Sequence, residues 1–209
     1  MKILKTCFFL VLACVSTIAM ARPCNIGKVT SLSGHAMIER FGQVFDAGTD
    51  ITICKGDKYI TDSTSVIQLT LRDATVITVG KDSEFTFSEY KVYKDKPNIA
   101  LFELAKGTFR AVTGFMTKRS HRFEVKTSLA TIGVRGTDFW GGFGLTENGL
   151  DVVMLSGKGV YVTNNQGESV ELSSSGFGTT VISAKVPSIP IKWDDEKVAK
   201  AVLTITPQP

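Results

Sequence analysis

Few side chains in this 209-residue sequence have the types and spacing that catalysis requires. The two histidines, His35 and His121, have no cysteine or second histidine at the spacing of metal ligands. The chain also lacks the motifs of a nucleophile elbow, a phosphate-binding loop and a dinucleotide-binding turn. A Ser-His-Asp triad could still assemble from distant segments, because triads are defined by geometry. We expect a protein that is not an enzyme and that binds no cofactor and no metal.

Four acidic residues lie in or beside turns, namely Asp57, Asp62, Asp73 and Asp82. Aspartate commonly accepts backbone hydrogen bonds at such positions. No acidic residue stands in an apolar stretch of the kind that raises a carboxyl pKa, which argues against a glycosidase pair. We interpret the four as turn-forming residues rather than calcium ligands.

Short β-strands are the elements that must position these residues. Apolar and polar residues alternate in several segments, 65–72, 75–79, 84–93, 108–113, 122–126 and 151–155. Turn-forming residues separate them at intervals of about 8–12 residues. This pattern predicts an all-β domain over residues 22–183, built as a β-sandwich or a short β-solenoid. Residues 184–209 are predicted to form a linker, a short docked helix capped by Asp194, and a tail.

Composition narrows the class of protein. Hydrophobic residues make up 43% of the chain, which is typical of a globular protein and excludes wholesale disorder. The formal net charge is +4. Two of the lysines lie in a segment that we expect to be removed, which leaves a charge of about +2. Because a nucleic-acid-binding surface needs a concentrated basic stripe, we expect no nucleic-acid partner.

Residues 1–21 have the pattern of a secretory signal peptide. Lys2 and Lys5 precede an apolar run, and Ala21 completes a small-x-small pattern before a cleavage point. The run is shorter than the roughly 20 residues that a membrane-spanning helix needs. We expect cleavage near Ala21 and a periplasmic or secreted mature chain without a membrane span. The alternative is lipidation at Cys14.

Removal of this segment leaves two cysteines, Cys24 and Cys54. In an oxidising compartment two cysteines indicate one disulfide. It would close a loop of about 30 residues and tie the N-terminus to the first strands. Two buried free thiols are the alternative.

One stretch has an unusual composition, because an arginine stands in an otherwise apolar strand beside a glycine that allows close backbone approach. Its residues are Val134, Arg135, Gly136, Thr137 and Phe139. A buried guanidinium needs acceptors for five N–H donors. Arg135 therefore either braces the sheet, paired with Asp138 or with an acidic residue from a turn, or serves as a recognition residue at the sheet edge.

This stretch resembles the core of the FecR domain family, in which a TPxAxxxVRGTxF segment lies between two strands. Here it consists of Thr127–Ala130 followed by Val134–Phe139. Further segments resemble the family pattern, and the resemblance covers about residues 27–182. Ser128 and Ala74 depart from it, since the family commonly has proline and glycine there.

The resemblance implies a periplasmic, all-β, non-enzymatic domain. In the namesake regulators this domain follows a cytoplasmic anti-sigma segment and receives a signal from an outer-membrane iron-siderophore transducer. Since nothing precedes the signal peptide here, we expect a free-standing protein-binding module in envelope sensing, signalling or assembly. The alternatives are a module that binds peptidoglycan or another cell-wall glycan, and a regulator of an iron-transport sigma-factor pathway.

The candidate binding surfaces are two basic segments, 91–96 and 118–122, and an aromatic, glycine-rich segment, 139–144. The residues singled out in them are Trp140, Phe143, Lys118, Arg119 and Arg122. Trp140 and Phe143 would act as an interface hot spot; alternatively, Trp140 belongs to the core. In the glycan alternative, Trp140, Tyr90 and Tyr93 would stack on sugars.

Overall fold

A computed structural model describes residues 24–93, 95, 97–114, 121–183 and 185–207. The described residues form eighteen β-strands and one α-helix. In chain order they are β1 (Gly27–Ser33), β2 (Ala36–Arg40), β3 (Gln43–Asp46), β4 (Thr52–Ile53), β5 (Lys58–Thr61), β6 (Val66–Leu71), β7 (Val76–Val79), β8 (Glu84–Lys91), β9 (Asn98–Lys106), β10 (Thr108–Val112), β11 (His121–Lys126), β12 (Ala130–Val134), β13 (Thr137–Phe143), β14 (Gly149–Gly157), β15 (Val160–Asn164), β16 (Ser169–Leu172), β17 (Phe177–Ile182), β18 (Ile191–Lys192) and α1 (Asp195–Thr204). The all-β prediction is confirmed.

The strands form two nine-stranded sheets. Sheet 1 has the order β18-β17-β14-β13-β10-β7-β6-β1-β4, and sheet 2 has the order β16-β15-β12-β11-β9-β8-β5-β2-β3. The chain crosses repeatedly from one sheet to the other. Successive strands are added from the β3–β4 end toward the β16–β18 end, as in a solenoid. Neighbouring strands are antiparallel except β9 and β11, which are parallel. The structure is a β-sandwich in which the strands also progress as in a solenoid, so it combines the two predicted architectures.

Aromatic rings fill the space between the sheets. Seven rings are in contact at centroid separations between 5.2 and 6.4 Å, those of Tyr59, Phe85, Phe87, Phe102, Phe109, Phe123 and Phe139. Several meet edge to face, the arrangement that the ring quadrupole favours. Each ring is at most 2% exposed. The alternating apolar residues seen in the sequence are the inward-facing side of these strands.

The disulfide between Cys24 and Cys54 is present, as predicted, and joins the start of the described chain to the end of β4. Beside it Asp57, which is fully buried, accepts two hydrogen bonds from the Arg40 guanidinium at 2.8 and 2.7 Å. The Asp57 carboxylate also accepts from the Cys54 N–H at 2.8 Å. This bidentate pair fixes the turn that precedes β5.

The C-terminal helix packs on the outer face of sheet 1. Asp194 caps it by accepting a hydrogen bond from the Lys197 N–H at 2.7 Å, as predicted. Trp193 and Ala201 cover Trp140 in a second apolar cluster, which also contains Val153 and Ile205. The predicted docking is thus confirmed. The α-helix in the described part of the chain is too short and too polar to cross a membrane.

Candidate functional site

The stretch that carries the family resemblance forms a crossing between the two sheets. Val134 ends β12 in sheet 2, Thr137 begins β13 in sheet 1, and Gly136 between them has a φ of 62°. A left-handed φ favours glycine, which has no Cβ to clash with the backbone. The crossing therefore depends on the glycine, whereas Val134 and Phe139 are buried in the core on either side.

Thr137 ties this crossing to two other passages of the chain. Its hydroxyl donates to the Gly159 carbonyl at 2.9 Å, and its N–H donates to the Thr113 hydroxyl at 2.7 Å. The Thr113 N–H donates in return to the Thr137 carbonyl at 3.1 Å. These contacts hold three loops together at one rim of the sandwich, so this threonine acts as a structural clamp.

Arg135 does not lie in a strand and is not buried, contrary to the sequence interpretation. It is an exposed residue in the bend between β12 and β13, with its guanidinium 5.0 Å from the centroid of the Tyr161 ring. The expected pairing with Asp138 is wrong, because Asp138 accepts two hydrogen bonds from Arg110 at 2.8 and 2.7 Å. The bend turns the Arg135 side chain to the outside of sheet 2, whereas Asp138 lies on sheet 1.

Trp140 is fully buried, so its assignment to an exposed binding surface is wrong. The ring lies on the outer face of sheet 1 and is covered by the C-terminal helix, and its Nε1–H donates to the Thr204 hydroxyl at 3.0 Å. Phe143 is half-buried and packs against the main core. The core alternative for Trp140 is the correct one, and sugar stacking on this ring is excluded in this arrangement.

The described part of the basic candidate segment lies on the outer face of sheet 2. Arg122 is exposed and donates two hydrogen bonds to Glu124 at 2.7 and 3.0 Å. Glu124 raises the pKa of Arg122 mainly through this hydrogen bonding. The pair lines a shallow groove of about 320 Å³, together with Leu101, Glu103 and Thr131 among others. Lys118 and Arg119 lie outside the described residues.

A second pair of side chains continues the same outer face. Tyr161 is opposite Gly133 in the β12–β15 register, and Gly133 is opposite Glu124 in the β11–β12 register. The Tyr161 hydroxyl donates to Glu171 at 2.8 Å, and Arg135 stands over the Tyr161 ring. We call this row the sheet 2 surface and define it by its charged and aromatic members, Arg122, Glu124, Arg135, Tyr161 and Glu171. It contains two basic and two acidic side chains.

The remaining candidates are not assembled into one site. The hydroxyl of half-buried Tyr90 donates to Asp73 at 3.1 Å, and burial is the main cause that raises the pKa of Tyr90. Tyr93 is half-buried, and the residues at 94 and 96 of the basic segment 91–96 lie outside the described chain. His35 Nε2 lies 3.0 Å from Asp46 Oδ1, and His121 Nε2 lies 2.9 Å from the Val134 carbonyl oxygen. The two histidines are therefore engaged in separate structural contacts.

Three acidic residues are buried; the sequence interpretation includes Asp57 and Asp73 as turn-forming residues but omits Asp151. Asp57, Asp73 and Asp151 are at most 1% exposed. Asp151 Oδ1 accepts from the Thr180 hydroxyl at 2.7 Å and from Lys197 Nζ at 2.9 Å. The hydrogen-bond partners of these buried acids lie between 2 and 46 residues away along the chain. A local sequence pattern indicates burial only at Asp151, because this charged residue stands within an apolar strand. Among the residues that the structure describes, no three His, Cys, Asp or Glu side chains form a group that could hold a metal ion.

Comparison with known structures finds the same fold. Two crystal structures of a candidate anti-sigma factor from Parabacteroides distasonis ATCC 8503, at 2.50 and 1.65 Å resolution, superpose with a TM-score of 0.54 at 20% sequence identity. The match covers 68% of this chain and 62% of that protein, so this chain spans less than two thirds of its length. No curated protein sequence matches the chain.

Comparison with protein families finds one match. The pattern of the FecR protein family fits residues 57–158. This segment begins at the buried Asp57 and ends just after β14, and it includes the crossing at Gly136 and the clamp at Thr137. The residues that carried the resemblance in the sequence are thus the ones that shape this part of the sandwich. The sequence resemblance is thus confirmed over residues 57–158, the part of the chain that matches the FecR family.

Proposed function

We propose that this protein is an exported, non-enzymatic module that binds another protein in envelope sensing, signalling or assembly. The observation that carries the proposal is the FecR domain at residues 57–158. The similar solved structures belong to a candidate anti-sigma factor, which favours the signalling branch. Regulation of an iron-transport sigma-factor pathway is the most specific form of that branch.

The sheet 2 surface is the binding surface that we propose. Arg122 and Glu124 neutralise each other, and Arg135 and Glu171 flank Tyr161. Tyrosine and arginine are the residue types that dominate the binding energy of protein interfaces. A surface with both signs of charge suits a protein partner of mixed charge better than a polyanion.

The aromatic residues give little support to the glycan alternative. Sugar stacking needs an open ring face. Trp140 is buried under the helix, Tyr90 is half-buried, and Arg135 covers one face of Tyr161. Cell-wall binding is therefore an outcome that the experiment below must exclude.

The proposed export predicts an oxidised Cys24–Cys54 pair in the mature protein. Intact-mass measurement of the protein from fractionated cells, with and without reductant, tests cleavage near Ala21, lipidation at Cys14 and the disulfide together. We expect the mature mass in the envelope or outside the cell, and a gain of two hydrogen masses on reduction. An uncleaved, reduced protein in the cytoplasmic fraction would contradict the proposal.

The binding proposal is tested by charge reversal at matched positions. Arg122 and Lys106 are 61% and 59% exposed, and each pairs with a glutamate that is 29% exposed. We expect Arg122→Glu to lower recovery of a cross-linked protein partner from the native envelope at least about tenfold, while Lys106→Glu leaves it unchanged. Equal recovery in both variants would overturn the assignment of this surface. Sedimentation of the protein with purified sacculi, in the absence of a protein partner, would replace the proposal by the glycan alternative.

A further inference from the structure

Strand β3 is an unprotected edge of sheet 2. All four of its residues are exposed, and Val44 and Phe45 in its middle are 58% and 37% exposed. Its only strand partner among the described residues is β2. Edge strands are usually protected by lysine, proline, a bulge or a covering segment. The sequence of β3 contains no lysine and no proline, and its register with β2 is unbroken.

The β2–β3 register determines which backbone groups of β3 are available. Phe45 is opposite Ile38, and the next pair of this kind, Ala47 with Ala36, has a hydrogen bond of 2.8 Å from the Ala47 N–H. Antiparallel pairs alternate between hydrogen-bonded and non-hydrogen-bonded. The N–H and C=O groups of Val44 and Asp46 therefore point away from β2, toward the open edge.

We propose that β3 pairs with β3 of a second copy of this chain, antiparallel and about a two-fold axis that passes through Phe45. In this register Val44 of one copy and Asp46 of the other exchange two hydrogen bonds, and the symmetry repeats the exchange. The two Phe45 side chains then face each other as a non-hydrogen-bonded pair, with Cα atoms about 4.5 Å apart. The two copies of sheet 2 form one continuous sheet.

The strand is self-complementary in this register, which favours a second copy over an unrelated partner. Outward-pointing backbone groups of an antiparallel edge match their own copies across a two-fold axis, the commonest symmetry of oligomers. The apolar Phe45 meets its equivalent, and aromatic cross-strand pairs are favourable. Each Asp46 carboxylate retains its partner within its own copy, His35 at 3.0 Å.

The other sheet edges are less suited to such pairing. Strands β4 and β18 have two residues each, and β18 directly follows Pro190. Strand β16 has four residues, but its Leu172 is buried and its Glu171 is held by Tyr161. Of the four edge strands in the described chain, β3 alone is fully exposed with two adjacent large apolar side chains.

The oligomeric state of the purified full-length mature protein tests the proposal. We expect a concentration-dependent dimer in analytical ultracentrifugation. Val44→Lys places a charge on the edge and should raise the dimer dissociation constant at least about tenfold. The matched control Ile189→Lys changes a residue that is 82% exposed and lies outside β3, and should leave the constant unchanged. A monomer at all concentrations, or equal constants for both variants, would overturn the proposal.

Cysteine cross-linking tests the register without relying on a destabilising change. Phe45→Cys places two thiols across the axis, at a separation that a disulfide can bridge. Gln43→Cys places them about 14 Å apart in the same dimer, because each lies two residues from the axis. Under mild oxidation we expect a disulfide-linked dimer for Phe45→Cys, and none for Gln43→Cys or for the protein without a new cysteine. Equal cross-linking of the two variants would contradict the register.

Discussion

At the scale of single residues, buried polar groups differ in whether they have partners. Asp57 accepts from Arg40, and Asp73 accepts from the Thr75 hydroxyl at 2.7 Å and from Tyr90. The Tyr59 hydroxyl, in contrast, is buried and has no hydrogen-bond partner among the described residues. A buried hydroxyl without a partner costs free energy because it has lost its hydrogen bonds to water.

Removing this hydroxyl should therefore stabilise the protein. Tyr59→Phe keeps the edge-to-face contact with Phe87 and should raise the free energy of unfolding by about 1 kcal/mol. The control is Tyr90→Phe, which removes a hydroxyl that donates to Asp73 and should lower the free energy of unfolding by about 1 kcal/mol. Urea denaturation measures both, and a destabilised Tyr59→Phe variant would contradict the prediction.

The carboxyl group of Asp62 should titrate at unusually low pH. Hydrogen bonds from the Ser65 hydroxyl, the Thr64 N–H and the Thr64 hydroxyl lower the pKa of Asp62 from the usual 3.8 to about 2. Because the pKa is lower in the folded state, the stabilisation is complete above about pH 4 and is lost as the pH falls toward 2.

Nuclear magnetic resonance titration of the Asp62 carboxyl carbon measures this pKa directly. We expect Ser65→Ala to raise the pKa of Asp62 toward 3.8, since the Ser65 hydroxyl makes the largest contribution. Ser63→Ala, at an exposed neighbouring position, should leave the pKa at about 2. Equal pKa values in the two variants would show that the hydroxyl of Ser65 is not the cause.

Some residue-scale features could be predicted from the sequence and others could not. The turn role of Asp62 follows from neighbours two and three residues away, which the sequence displays. The partners of Asp57 and Asp138 lie 17 and 28 residues away on other strands, so no local pattern reveals them. The apolar neighbours of Arg135 predict a strand there, but Gly136 bends the chain.

At the scale of elements, the position of α1 depends on a glycine in β17. A Cβ on Gly178 would lie 2.4 Å from the Trp193 ring, so only glycine allows the ring to lie flat on the strand. The two tryptophans of the chain, Trp140 and Trp193, meet edge to face beneath the helix at 6.4 Å. Tryptophan fluorescence therefore reports on this one interface.

Gly178→Ala should displace Trp193 and loosen the helix. We expect the free energy of unfolding to fall by about 1–3 kcal/mol, because the added methyl group overpacks the site, and tryptophan emission to shift to longer wavelength. The control is Gly133→Ala in β12, where the nearest atom to a Cβ is 3.9 Å away. A Gly178→Ala variant with the emission and stability of Gly133→Ala would contradict this role of the glycine.

The alternation of apolar and polar residues was sufficient to predict the strands, because each strand has one face in the core. It was insufficient for Trp140 and Val153, which face outward from sheet 1 and are buried by the C-terminal segment that contains Trp193 and α1. Alternation records which residues share a face, but it does not record whether a distant segment covers the outer face. Of the candidate surface residues, Arg122 is therefore exposed because no such segment covers it, whereas Trp140 is buried.

At the scale of the whole molecule, the chain advances along the sandwich and then returns across the outside of sheet 1. Strand β18 pairs with β17, the Trp193 N–H donates to the Gly176 carbonyl at 2.9 Å, and the Lys81 N–H donates to the Thr204 carbonyl at 3.2 Å. Lys197 also reaches the buried Asp151 at 2.9 Å. The C-terminal segment thus joins strands from the middle of sheet 1 to strands near its end.

This arrangement predicts that residues 184–209 are required for the stability of the β domain, although the sequence pattern predicts that the domain ends at residue 183. A chain that ends at Ser183 exposes Trp140 and Val153 and removes Lys197, the charged partner of Asp151. Loss of the Trp193 side chain alone should cost at least about 3 kcal/mol in the free energy of unfolding. The remaining tryptophan, Trp140, should emit at longer wavelength because water reaches it.

The control is a chain that ends at Pro207, which keeps the helix and all the contacts described here. If the chain ending at Ser183 has the same denaturation midpoint as that control, and Trp140 keeps its emission, the helix is a separable appendage and the domain ends at β17.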